Sequence, residues 1–121
     1  MNKINKLAGV IIWTENFDVM YDFYTQKLGL VPHTLKKESV NFHWDNLKFT
    51  IAFHQKVRSF SKDKYRIMLN FEVDNIDSMY KLFFSKDVEF IRKPSDEKWG
   101  KVASFLDPDQ NIIQIIQNYK K

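Results

Sequence analysis

The chain repeats itself at an offset of 59 residues, the step that carries Asn16 onto Asn75. Residues 9–24 read GVIIWTENFDVMYDFY and residues 68–83 read MLNFEVDNIDSMYKLF. At this offset an asparagine, an aspartate, a methionine and a tyrosine coincide, and apolar residues such as Phe17 meet apolar partners such as Ile76. The period is far longer than a helical heptad, so the repeat indicates that half of a domain has been duplicated.

Each copy begins with the pattern of a strand followed by a helix. Residues 10 and 12 in the first copy, and 69, 71 and 73 in the second, alternate as apolar positions of a strand. Asn16 and Asn75 then stand where a residue can cap a helix. The helices carry apolar stripes at i, i+3, i+4 and i+7, which predict core packing: Phe17, Met20, Tyr21, Tyr24 and Leu28, and Ile76, Met79, Tyr80 and Phe83.

Three more strands are predicted after each helix. They cover about 30–36, 39–44 and 47–54 in the first copy and about 88–93, 101–106 and 111–117 in the second. Residues 55–66 are charged and unpatterned, which indicates a linker. We therefore predict an α+β fold in one domain, 1–121, with module one at about 4–54 and module two at about 67–118. Each module is βαβββ, and the mixed sheets are expected to curl around a cleft.

Composition narrows the class of protein. A chain of 121 residues with 44% hydrophobic content can bury one good core. The absence of cysteine excludes disulfides, thiolate metal sites and a cysteine nucleophile. No segment resembles a signal peptide or a membrane span, so we expect a cytoplasmic protein without a membrane partner. The net charge is +4, but lysines and arginines are spread along the chain, and we expect no nucleic-acid partner.

Three segments, taken in order on this repeat, resemble the vicinal oxygen chelate superfamily, which contains glyoxalases, bleomycin resistance proteins and dioxygenases. ENFDVMYDFYTQKLGL is similar to the helix with its FYxxxLGL signature, and FEVDNIDSMYKLF is similar to the start of the second module. KWGKVASFLDPDQNIIQIIQ is similar to the family's WG and DPDG ending, with Gln110 in place of the usual glycine. If Gln110 takes a positive φ, the cost is on the order of 1 kcal/mol.

The resemblance implies a divalent metal whose ligands come from the first strand of each module and from the last strand. Carried onto this chain, these positions are Gly9, Met68 and Gln114, with a further one near Thr50 whose register the sequence leaves open. Glycine has no ligating side chain, a thioether suits these ions poorly, and an amide offers one neutral oxygen. A catalytic metal site needs about three protein ligands. We therefore predict that the chain uses no metal or other cofactor.

Strand alternation predicts which side chains line the cleft. The candidate ligand-binding residues on this basis are Trp13, Thr50, His54, Met68, Asn70, Glu72 and Gln114. Trp99 joins them because Trp99-Gly100 resembles a loop that flanks the binding cleft of metal-free relatives. Phe42, Trp44 and Phe105 are further candidates for the cleft walls.

Ordinary structural roles stay open beside these assignments. Trp13 could simply pack at a strand end, and Glu72 or His54 could be solvated at the surface. Trp99 could cover an edge of the core, with Gly100 accommodating an unusual backbone angle.

An apolar cleft with a few polar anchors is typical of a small-molecule site. The sequence therefore favours a metal-independent protein that binds an apolar, aromatic or antibiotic-like compound, and the resemblance implies a homodimer. One alternative is a metal-dependent lyase, isomerase or dioxygenase of the glyoxalase type, with a divergent site around Gln114 and His54. Another is a structural or regulatory dimer without a ligand.

Overall fold

A computed structural model describes residues 2–119. The chain forms two compact units, one that extends to Arg58 and one that begins at Ser59. The elements of the first unit are β1 (Gly9–Thr14), α1 (Phe17–Asp22), a π-helical segment (Phe23–Lys27), β2 (Thr34–Lys36), β3 (Ser39–Trp44) and β4 (Leu47–Phe53). Those of the second unit are β5 (Leu69–Glu72), α2 (Ile76–Ser85), β6 (Glu89–Asp96), β7 (Gly100–Leu106) and β8 (Ile112–Asn118).

Each unit has one four-stranded mixed sheet. The strand order is β1-β4-β3-β2 in the first unit and β5-β8-β7-β6 in the second. In each sheet the first and last strands of the module run parallel and the other pairs run antiparallel. The two sheets therefore have the same topology, and the predicted α+β fold of two βαβββ modules is confirmed. No helix within residues 2–119 is long and apolar enough to cross a bilayer.

One face of each sheet is covered by the helix of its own module. In the first unit, Tyr24 packs its ring edge-on against Phe49, with 5.5 Å between the ring centroids. In the second, Phe83 packs in the same way against Phe105 at 5.7 Å. The buried side chains of this helix-covered layer include Met20, Val40, Phe42, Ile51, Ile76, Ile113 and Ile115. Phe42 and Phe105 belong to this core, so their interpretation as walls of a cleft is wrong.

The two helices begin in different ways. The Asn75 side chain accepts a hydrogen bond of 3.0 Å from the Ser78 backbone N–H, which is a regular N-cap. Asn16 makes no such bond, and its own backbone N–H donates to Thr14 Oγ1 at 3.0 Å. The capping role predicted for Asn16 is therefore wrong, because a buried threonine hydroxyl orders the entry to α1 instead.

Helix α1 is short because it widens into a π-helical segment after Asp22. The Leu28 N–H donates to the Phe23 carbonyl, five residues back, at 3.0 Å. The stripe predicted from regular helical spacing is nevertheless buried at Phe17, Met20, Tyr24 and Leu28.

The turn that leads into β8 is organised by a buried carboxylate. Asp107 Oδ1 accepts hydrogen bonds from the backbone N–H groups of Asp109 and Asn111, both at 2.9 Å. Gln110 takes φ 65°, so the positive φ considered for this position is confirmed. Its side-chain oxygen accepts a hydrogen bond of 3.0 Å from Lys64.

Candidate functional site

Five candidate site residues lie on the faces of the two sheets that point away from each module's own helix, which we call the distal faces: Trp13, Thr50, Asn70, Glu72 and Gln114. On the first sheet, strand register places β1 residues Gly9, Ile11 and Trp13 beside β4 residues Lys48, Thr50 and Ala52. The neighbouring strands extend this face with Ser39, Asn41 and His43 from β3, and with Thr34 and Lys36 from β2. The distal face of the first sheet thus combines apolar, amide, hydroxyl and cationic side chains.

A polar row crosses the middle of this face. Thr50 on β4 and Asn41 on β3 form this row, and Ile11 on β1 is the apolar neighbour that completes it across three adjacent strands. The Thr50 hydroxyl donates a hydrogen bond of 2.6 Å to Asn41 Oδ1. This bond orients the Asn41 amide so that its nitrogen remains available as a donor to another group.

Trp13 lies at one end of the face with 44% of its surface exposed, and Ile11 is 51% exposed. The ring of His54, just after β4, packs edge-on against Trp13 with 5.1 Å between centroids. His54 Nδ1 accepts a hydrogen bond of 3.0 Å from the Lys56 backbone N–H. In the neutral ring the proton therefore sits on Nε2, which leaves neither nitrogen with a free lone pair. The arrangement supports a wall or positioning role for His54 more than a role as a base or metal ligand.

The distal face of the second sheet carries the equivalent polar row. Asn70, Gln114, Ser104 and Arg92 are neighbours on β5, β8, β7 and β6. Gln114 Nε2 donates to Asn70 Oδ1 at 2.5 Å, and the Ser104 hydroxyl lies 3.4 Å from Gln114 Oε1. The Gln114 amide is therefore engaged at both its nitrogen and its oxygen.

The two rows correspond through the duplication. Ile11 maps onto Asn70 by the 59-residue offset, and both start the row on the first strand of their module. On the last strand of each module, Thr50 is the counterpart of Gln114. The register of Thr50, which the sequence left open, is thereby established by the strand pairing.

The residues at the family's metal positions do not fit a metal ion. A Cβ at Gly9 would collide with the Lys48 backbone carbonyl, so a ligating side chain has no room there. Met68 precedes β5 and offers only a thioether, which is a soft ligand. Gln114 is occupied by Ser104 and Asn70. Among residues 2–119, no group of three or more His, Asp or Glu side chains could hold a metal ion.

The structure groups some of the predicted site residues and leaves others apart. Asn70, Glu72 and Gln114 share the distal face of the second sheet, where Glu72 lies 3.4 Å from Asn118. Trp99 is 47% exposed and immediately precedes β7, where its carbonyl accepts a bond from the Tyr119 N–H. Trp99 lies in the bend before β7, outside the strand register that places Gln114 beside Asn70. Trp99 is thus not part of the Gln114 row.

Gly100 opens β7, and its φ is not positive. A Cβ at this position would collide with the backbone carbonyl of Gln117 on β8. The predicted role of Gly100 in an unusual backbone angle is therefore wrong, and close strand contact explains the glycine.

Sequence reasoning missed a cationic corner of the first distal face. The signal that could have found it is the alternation of Ser39, Asn41 and His43 with the apolar residues of β3. His43 lies directly opposite Lys48 across the β3–β4 pair. The His43 ring also stacks on His33, with 3.8 Å between centroids. Loss of water around the ring lowers the pKa of His43, and the positive charges of His33 and Lys48 lower it further. In this register Trp44 lies on the same side of the sheet as Phe42, the helix-covered side, so Trp44 is not a wall of the candidate site.

A separate groove in the first unit contains none of the predicted site residues. Its volume is about 510 Å³. It is lined by Glu15, Asn16, Phe17, Asp18, Val19, Lys37, Glu38 and Phe53. None of the residues of either polar row lines this groove, and three of its own lining residues are acidic. We therefore treat it as distinct from the site described above.

Comparisons with known proteins agree with this fold. The family model Glyoxalase/Bleomycin resistance protein/Dioxygenase superfamily matches residues 3–115. The uncharacterized protein YraH of Bacillus subtilis (strain 168) is 28% identical over an alignment of 123 residues, which covers 91% of this chain and 96% of that protein.

Solved structures are similar at the level of the fold. A glyoxalase/bleomycin resistance protein/dioxygenase from Nocardioides has a TM-score of 0.80 at 16% identity, with 99% of this chain and 87% of that one covered. TnmS3, an antibiotic binding protein from Streptomyces sp. CB03234, has a TM-score of 0.73 at 18% identity, with 95% and 97% covered. Because the family model matches residues 3–115 of the 121, the chain belongs to the Glyoxalase/Bleomycin resistance protein/Dioxygenase superfamily.

Proposed function

We propose that this protein binds an apolar or aromatic small molecule without using a metal ion. The observation that carries the proposal is the state of Gln114, the position at which relatives place a metal ligand. Its amide is committed to Asn70 on one side and contacts Ser104 on the other. An amide held in this way presents a neutral hydrogen-bonding surface, which suits an uncharged polar group of a ligand better than a divalent cation.

The first distal face supplies apolar contact area. Ile11 and Trp13 are both exposed there, next to the hydrogen-bonded Thr50–Asn41 pair. An indole offers a large rigid surface for a planar ring, and nearby polar groups can fix the orientation of the ligand. The antibiotic binding protein TnmS3 has the same fold, which makes an antibiotic-like ligand a reasonable form of this proposal. We also propose a cytoplasmic homodimer as the working form.

The metal-dependent enzyme remains the alternative proposal. It needs Gln114 and His54 to ligate a divalent ion, but the Nδ1 atom of His54 already accepts a bond from Lys56. Metal binding at these residues therefore requires both side chains to leave their present partners.

Calorimetric titration of the purified protein with Zn²⁺, Mn²⁺, Ni²⁺ and Fe²⁺ distinguishes the two proposals. We expect no stoichiometric binding, and also none in a Gln114→Glu variant, because positions 9 and 68 still lack ligands. Tight binding at one ion per chain that disappears in Gln114→Ala would establish the metal site and overturn the proposal.

Tryptophan fluorescence tests ligand binding itself. A panel of planar aromatic compounds should quench emission of the protein saturably. The quenching should be reduced in Trp13→Phe and retained in Trp44→Phe, which removes an indole from the helix-covered side. If no compound quenches the emission or raises the melting temperature, the result would favour the alternative of a structural dimer without a ligand.

A further inference from the structure

The geometry points to a carboxylate-binding position on the distal face of the first sheet, formed by Lys48, His43 and Asn41. The ligand it fits is an aromatic acid whose ring lies on Ile11. This inference rests on the proposed function, because it names the chemical class of compound that the binding face selects.

Charge is the first argument. The distal face of the first sheet carries Lys36, His43 and Lys48, and no Asp or Glu among its residues. The nearest acidic positions in sequence, Glu38 and Asp45, lie in the turns at the two ends of β3. Within residues 2–119, neither Lys36 nor Lys48 forms an ion pair. The face therefore presents positive charge without an internal counter-charge.

The placement of two of these groups is the second argument. His43 and Lys48 are directly opposite on antiparallel strands, where Cβ atoms lie about 4.5–5.5 Å apart. A protonated His43 would repel Lys48 in such a pair, so the imidazole stays neutral near pH 7 and offers an N–H donor beside the ammonium group. His33 stacks on the same imidazole and adds a third basic side chain to this corner. An anion bound between His43 and Lys48 would pair with the ammonium group and accept a hydrogen bond from the imidazole N–H.

Hydrogen-bond donors are the third argument. The Thr50 hydroxyl fixes Asn41 by donating to its side-chain oxygen, so the Asn41 amide nitrogen is left as a donor on this face. An ammonium group, an imidazole N–H and an amide N–H next to one another can satisfy both oxygens of a carboxylate, and bonds to a charged acceptor are the stronger kind.

Apolar side chains lie on the strand next to this cationic corner. Ile11 is beside Thr50 and Trp13 is beside Ala52, one strand over from Lys48. Successive side chains on one face of a strand are roughly 7 Å apart. Gly9, next to Lys48, places no side chain between the cationic corner and β1. A compound with a fused ring system and one carboxylate can therefore reach from Lys48 to Ile11.

Isothermal titration calorimetry with naphthoate and naphthamide tests this inference, because the two compounds share a ring and differ in charge. We expect naphthoate to bind the full chain about tenfold more tightly at low ionic strength. Added NaCl should weaken naphthoate binding and leave naphthamide binding unchanged.

Two variants with the same change in net charge provide the matched control. Lys48→Met should lower the affinity for naphthoate about tenfold and leave that for naphthamide unaltered. Lys81→Met, on an exposed position of α2, should change neither affinity. His43→Gln should weaken naphthoate binding as well, which keeps the test decisive if one variant does not fold.

The possible failures are distinguishable. Equal affinity for the two compounds, or equal effects of Lys48→Met and Lys81→Met, would overturn the carboxylate site and leave the proposed small-molecule binding intact. If neither compound binds and no uncharged planar compound quenches tryptophan emission, the proposed function falls as well.

Discussion

The amide nitrogen of Gln114 donates a hydrogen bond of 2.5 Å to Oδ1 of Asn70 and so links β8 to β5 on the distal face of the second sheet. The position at which the family places a metal-binding glutamate has become one end of a neutral amide pair. Its counterpart in the first module is Thr50, which bonds to Asn41. In both modules a side-chain hydrogen bond between neighbouring strands occupies the row where metal chemistry would require an available ligand.

A double-mutant cycle can measure the Gln114–Asn70 pair. We expect each of Gln114→Ala and Asn70→Ala to lower the free energy of unfolding by about 1 kcal/mol, because each removes the same hydrogen bond. The double variant should lose clearly less than the sum of the two, as measured by urea denaturation. The pair Gln114→Ala and Asn118→Ala serves as control, since these side chains do not bond to each other, and its effects should add. Additive effects for Gln114 and Asn70 would contradict the pairing.

Gly9→Ala should destabilise the first module by on the order of 2 kcal/mol, because the new methyl group meets the Lys48 carbonyl and β1 must move away from β4. Thermal unfolding measures the loss. The control is Ala8→Ser, which adds one atom at an exposed neighbouring position and should leave the melting temperature almost unchanged. A Gly9→Ala variant as stable as the parent protein would show that the strands can separate and that a ligating side chain could be accommodated at this position.

Gln110→Gly should be more stable than Gln110→Ala by about 1 kcal/mol, because Gln110 has φ 65° and only glycine adopts this angle without cost. Both variants lose the hydrogen bond from Lys64, so their difference isolates the backbone term. Equilibrium denaturation in guanidinium chloride is a suitable measurement. Equal stabilities would mean that the turn relaxes to a negative φ when the side chain is shortened.

The titration of His43 should make the protein less stable as the pH is lowered. Its pKa in the folded protein lies below the ordinary value of 6.5, so the unfolded chain binds the proton more readily. The contribution is complete above pH of about 6.5 and is lost as the pH falls through the folded pKa. Loss of water around the ring is the largest cause of the lowered pKa, and His33, stacked on it, and Lys48, opposite it, lower it further.

Melting temperatures at pH 7.5 and 5.5 test this linkage. The decrease should be smaller in His43→Gln than in the parent protein. A His43→Gln variant with an unchanged decrease would assign the pH dependence to other groups.

Much of the fold could be read from the residues themselves. The duplication placed every strand within a few residues of its bounds in the structure. The alternation of apolar positions in β1, β4 and β5 put Trp13 on the same face as Thr50, and Asn70 on the same face as Gln114. These predictions succeeded because apolar periodicity and local turn chemistry act over neighbouring residues, where the sequence is directly informative. The sequence raised a positive φ at Gln110 as a condition, and the structure has it.

Other features depend on which strands become neighbours. Residues 39–44 alternate polar with apolar side chains, but only the pairing of β3 with β4 shows that His43 lies opposite Lys48. The close approach of Gly9 to Lys48 likewise arises between strands far apart in the chain. Sequence alone therefore determined the two βαβββ modules and their order along the chain. The tertiary structure determined how Gln114 uses its amide and where positive charge collects, because hydrogen bonds and charge repulsion depend on distances that chain order does not specify.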